Sequence, residues 1–64
     1  MMANSRQNIR IGCEVAVVQK HHQRTGILTI GIVKRILTKS LTHPHGIKVQ
    51  LTSGAVGRVK DILN

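Results

Sequence analysis

Imidazole and guanidinium groups, not carboxylates, carry the chemical potential of this chain. Ten Lys and Arg and four His stand against two carboxylates, Glu14 and Asp61. The segment Thr42-His43-Pro44-His45-Gly46 sets two histidines on either side of the single proline. Residues at i and i+2 of a turn or strand can share a face, so His43 and His45 could meet one ion, donate to a phosphate, or simply shape the turn. Zinc asks for four ligands in a tetrahedral array, usually at short defined spacings. His21 and His22 are adjacent, Cys13 stands apart, and no CxxC or HxxxH element is present. The spacing therefore argues against a metal centre and leaves open a structural turn or contact with phosphate, which imidazole meets as a donor and as a cation.

A second cluster lies in Lys20-His21-His22-Gln23-Arg24-Thr25-Gly26. Lys20, His21 and Arg24 fall close together there, and a guanidinium suits bidentate phosphate recognition. The plain alternative is a solvated loop whose Thr25-Gly26 makes the turn. Thr38-Lys39-Ser40 could cradle a further phosphate, but the glycine series of a nucleotide-hydrolysing loop is missing. Lys48 and Arg58 add charge on segments that read as strands. Two carboxylates, neither paired with a nucleophile, give general acid–base catalysis no footing. No enzyme and no cofactor are expected.

At 64 residues the chain is one domain, and folding buries only about 60% of its extended surface. With no Phe, Tyr or Trp, the core must come from Ile, Val and Leu. The formal net charge of +8 favours an anionic partner. No apolar run approaches the roughly 20 residues needed to span a bilayer, so no membrane partner is expected. A lone cysteine excludes an internal disulfide, and the opening MMANSRQNIR lacks the apolar core of a signal peptide. Together these point to a cytoplasmic monomer.

Residues 1–8 read as a flexible basic tail and 9–64 as the domain, with Ile9 and Ile11 able to tuck against its body. Glu14-Val-Ala-Val-Val-Gln-Lys20 is a strand by its β-branched run, with alternation failing at Val18. Ile27 to Leu37 reads as one long strand with a bulge or sharp bend at Gly31; a helix from Ile30 to Leu37 is the competing assignment. Ile47-Lys48-Val49-Gln50-Leu51 alternates cleanly, with Ile47, Val49 and Leu51 inward. Thr52 to Ala55 has hairpin-loop composition. Val56, Val59 and Ile62, spaced by threes, suggest a short strand, one 3₁₀ turn and a last short strand. Four or five short antiparallel strands closing on themselves make a small all-β barrel, which removes exposed edges at this length. The alternative is an α+β mini-domain with Val33–Leu37 or Val56–Ile62 helical.

Read together, Gln23-Arg24-Thr25-Gly26, Leu28-Thr29, Gly31 with Val33, Ile36 to Ser40, His43 to Val49, and Gly54 with Val56 to Val59 resemble the YwbE family of short bacterial proteins. The resemblance covers about Ile9 to Ile62. Where that family often carries an acidic residue before the QRTG block, this chain has His22, and the turn before Gly54, often acidic, is Thr52-Ser53. Both departures make this chain the more basic. A looser similarity, through Gly12-x-x-Val15-x-Val17 and the Gly-rich bends, is to KOW-type and other SH3-like barrels. That similarity implies an SH3-like (KOW-like) fold, and such barrels frequently bind ribosomal or messenger RNA through loops.

The resulting expectation is a non-catalytic module that contacts the phosphates of structured RNA, ribosomal RNA among the candidates, or of a ribonucleoprotein. Lacking aromatic platforms, it should grip phosphates and shape and not read a single strand by stacking. Its contact residues are expected to be Lys20, His21, Arg24, Lys39, His43, His45, Lys48 and Arg58, with the KHHQRTG and THPHG loops forming one basic surface at an end of the barrel. Two alternatives are a protein-interaction adaptor that uses a barrel edge or its loops, and a His-based metal protein.

Overall fold

The computed structural model describes residues 8–39 and 41–63. Most of the tail expected over residues 1–8, together with Ser40 of the TKS segment, lies outside the described residues. Four strands, β1 (Glu14–Gln19), β2 (Thr29–Ile36), β3 (Lys48–Leu51) and β4 (Val56–Ile62), form a closed antiparallel barrel in the order β1-β2-β3-β4, with β4 returning to β1. This is the all-β SH3/KOW-like arrangement. Both segments considered for helix are strands, and the β-branched content of β2 accounts for the preference.

The interior is aliphatic. Val15 and Val17 of β1, Val33 of β2, Val49 and Leu51 of β3, and Val59 of β4 are fully enclosed, with Ile47 just before β3. Ile9 joins this core, whereas Ile11 stays exposed. Cys13 is a half-buried free thiol packed against the cluster. The strict alternation of Ile47, Val49 and Leu51 is thus the pleat of one strand facing inward.

Two bulges bend the barrel, and neither is at Gly31. Val33 pairs with Leu51 and Arg35 with Gln50, so Lys34 is an extra residue on β2. Val59 pairs with Val17 and Asp61 with Ala16, so Lys60 is an extra residue on β4. A bulge sets two residues of one strand against one of its partner and increases the local twist. The second bulge explains the spacing of three between Val59 and Ile62. It lets Val59 and Ile62 both face inward on a single continuous strand, without the expected 3₁₀ turn. Gly31 serves packing instead. A Cβ there would come within 2.8 Å of a Leu51 methyl group, so the glycine makes room for that core side chain.

Alternation fails at Val18 for a reason of position. Val18 is on the outer side of β1, opposite Arg58, yet it is only 7% exposed. Ala16 is covered likewise. A strand buried on both faces reads as a continuous apolar run.

Gly46 is the tightest point of the fold. It has φ of +98°, and an added Cβ would run into the carbonyl oxygen of Val59. Gly54, in the turn between β3 and β4, has φ of +97° with open space where a Cβ would go. Gly46→Ala should therefore cost more than Gly54→Ala: on the order of 3 kcal/mol or more against about 1 kcal/mol of backbone strain. Urea denaturation midpoints of the two variants check this; equal losses would remove the close approach as a constraint.

Candidate nucleic-acid interface

Two segments that are distant in sequence are folded into fixed shapes and meet over Val18. The first begins as a 3₁₀ turn, Lys20–His22, directly after β1. Gly26, with φ of +73°, ends it by donating its N–H to the His22 carbonyl at 2.8 Å, and the Thr25 hydroxyl donates to the same oxygen at 3.3 Å. A left-handed glycine that closes on a carbonyl four residues back is the usual way for a helical turn to stop.

The second segment is the His43–Gly46 turn. Gly46 N–H donates to the His43 carbonyl at 3.0 Å across a β-turn, with Pro44 in the position where its fixed φ belongs. The His45 N–H donates to His43 Nδ1 at 3.1 Å, the side chain-to-backbone closure that Asn and Asp more often provide. Two cations of β4 then hold this turn from below. Arg58 Nη1 donates to the Gly46 carbonyl at 3.2 Å, and Lys60 Nζ donates to the His45 carbonyl at 2.9 Å. Each bond uses one donor of its side chain and leaves further N–H groups of that side chain for a ligand.

Between the two segments lies a groove of about 410 Å³. Its floor includes Val18; Gln23 and Gly26 contribute from the first segment, His43 and His45 from the second, and Arg58 and Lys60 from β4. A second groove, of about 470 Å³, shares Val18, Gln23 and Arg58 with the first and adds Lys20, Lys48, Val56 and Gly57. Strand register explains the convergence. Val18 pairs with Arg58 and Arg58 with Lys48, which makes one row across β1, β4 and β3 on the outer surface. Gly57 permits the close packing of β1 and β4 here, since a Cβ on it would lie 2.7 Å from the Val18 carbonyl oxygen.

Of the residues expected from sequence, Lys20, His43, His45, Lys48 and Arg58 line the two grooves. His21, Arg24 and Lys39 are exposed and line neither. The His21 ring leans instead on His22, with centroids 4.1 Å apart. Thr38, from the segment considered as a phosphate cradle, uses its hydroxyl to accept the Lys48 N–H at 2.9 Å. Sequence reasoning missed Val18, Gln23 and Lys60. The signal for Lys60 was the Arg58-x-Lys60 spacing, which places both on one side of a strand.

No carboxylate lines either groove among the described residues. Glu14 pairs with Ile32 and Asp61 with Ala16, toward the other end of β1. Among the described residues no three His, Cys, Asp or Glu side chains converge as a metal site would require. The His43 and His45 centroids are 5.8 Å apart, and His43 Nδ1 is already engaged.

His43 is held below its ordinary 6.5, first by desolvation, then by the charges of Arg58 and His45. The hydrogen bond at Nδ1 acts in the same direction, because a protonated Nδ1 cannot accept it, and it sets the ring proton on Nε2. Near neutrality His43 is therefore a neutral donor and a ring surface. With the folded pKa lowered, the unfolded chain binds more protons as pH falls below 6.5. The contribution of His43 to stability is present above that value and lost as pH falls through the folded one. A proton NMR titration should place His43 below 6.5, and Arg58→Gln should move it part of the way back. A value at or above 6.5 in the intact protein would contradict this reading of the turn.

A family model described as an uncharacterized conserved protein (DUF2196) matches residues 2–62. The uncharacterized protein YwbE of Bacillus subtilis (strain 168) is 50% identical over 64 residues, a match that takes in all of this chain and 98% of that relative. No solved structure matches the chain.

Proposed function

The chain belongs to the YwbE family (DUF2196), and we propose that it is a non-catalytic RNA-binding module that grips phosphates of a folded RNA. The observation that supports this is the meeting of four cations from three segments, Lys20, Lys48, and Arg58 with Lys60 of β4, on two adjoining grooves with no carboxylate on their walls among the described residues. Like charges gathered this way repel one another and are relieved by an anionic ligand. Arg58 and Lys60 are anchored by the backbone they hold, so they lose less freedom on binding than unrestrained side chains would.

Size favours a folded RNA approached on one face. The barrel measures 27 × 23 × 19 Å, comparable with a duplex and too small to wrap one. It carries no Phe, Tyr or Trp on which successive bases of a single strand could stack. No helix among the described residues is long and apolar enough to cross a membrane. As for strand addition, the closed order gives each of the four strands neighbours on both sides, so none of them offers a wholly free edge to a partner.

Binding to a stable RNA hairpin should weaken with salt at a slope of about −3 to −4 in log K against log salt, as expected for four phosphate contacts. Lys48→Gln should reduce that slope by about one. Fluorescence anisotropy over a salt series measures both. Undetectable binding at low salt, or a slope that the substitution leaves unchanged, would overturn the proposal.

A further inference from the structure

The two grooves differ in chemistry although they share a wall. The second is the more cationic, with Lys20, Lys48 and Arg58 set around Gly57. The first has Val18, Gln23 and Arg58 in common with it and adds Lys60 and the two imidazoles of the turn. Where the second groove adds cations to the shared residues, the first adds two ring faces, which a phosphate alone does not use. The first groove's volume of about 410 Å³ falls at the small end of the roughly 300–1,000 Å³ typical of small-molecule sites, enough for one planar heterocycle with its sugar and too little for a helix.

We propose that the first groove receives a single nucleotide extruded from the RNA helix, its base over Val18 beside the rings of His43 and His45, with the adjoining phosphate on Lys20, Lys48 and Arg58. The inference rests on the RNA-binding reading and gives it a specific target, a helix with an unpaired, looped-out nucleotide.

Three observations lead to this occupant. Arg58 borders both grooves, so one guanidinium can face a phosphate on one side while its stem and plane lie along a base on the other. The His43–Gly46 turn is fixed before binding by Pro44, by the His45 N–H on His43 Nδ1, and by the Arg58 and Lys60 tethers, so its backbone and the His43 ring form a preset wall. Gln23 presents an amide with both donor and acceptor character at the rim, matching the Watson–Crick edge that a flipped base exposes. A base already looped out of a helix has already met the cost of unstacking. That explains how a protein without aromatic platforms can hold one base while still needing a folded RNA.

The test uses the full chain and four ligands: a fully paired RNA hairpin, the same hairpin with one bulged adenosine, the same with an abasic residue at the bulge, and adenosine monophosphate. Anisotropy at fixed salt should show the bulged adenosine hairpin binding about tenfold or more tighter than the paired and abasic hairpins, the gain expected from one enclosed base. With 2-aminopurine at the bulge, fluorescence should change on binding. Gln23→Ala should shrink the difference between base-bearing and abasic bulges, and circular dichroism should show the barrel intact. Equal affinity for the three hairpins would overturn the inference while the phosphate-binding proposal stands. Adenosine monophosphate binding as tightly as the bulged hairpin would overturn it in favour of a free-nucleotide site. Failure of every hairpin to bind at low salt would overturn both readings.

Discussion

The site depends on how closely the backbone at Gly46 approaches β4. With φ of +98° and no room for a Cβ against the Val59 carbonyl oxygen, the chain there has one way to lie. The Val59 N–H then donates to the Ile47 carbonyl at 2.9 Å, and the next residue, Lys48, opens β3. From that seat the rest of the turn follows. The carbonyls of His45 and Gly46 come within reach of Lys60 and Arg58, and the histidine rings are carried to the side of Val18. A side chain at position 46 would push the turn off β4 and unmake the groove without touching any residue that lines it.

Electrostatics and packing then divide the work. Arg58 is half-buried and spans two roles: its Nη1 braces the Gly46 carbonyl, and its charge helps keep His43 neutral. The neutral ring can accept from the His45 N–H and so complete the turn that Arg58 braces. Cation, neutral imidazole and turn geometry support one another.

Much of the barrel could be read from local pattern. Ile47, Val49 and Leu51 declared their face by alternation, and the Val15–Val18 run declared a strand but not that both its faces are covered. What could not be read locally was the placement of the bulges. Gly31 looked like one by residue type, yet the extra residues are Lys34 and Lys60, which carry no such mark. A bulge is a mismatch in count between two strands, so it belongs to the pair and not to either sequence alone. The site was legible to the same degree. His43, His45, Lys20, Lys48 and Arg58 stood out by chemistry, but Gln23 and Val18 gain their place only because β1 pairs with β4, some forty positions away.

That pairing also has a consequence for how the protein is made. β1 is the first strand of the barrel and lies between β2 and β4, and β4 is the last of the four to be synthesised. The barrel cannot close until the residues up to Ile62 have left the ribosome. Until then β1 has one flank unpaired, and Val18 has no Arg58 beside it. Hairpins can form locally during synthesis, but the contact that joins the two ends of the barrel is of long range and correspondingly slow. The groove is therefore a late product of translation: Lys20 and Gln23 emerge early and meet Arg58 and Lys60 only once β4 has followed them out.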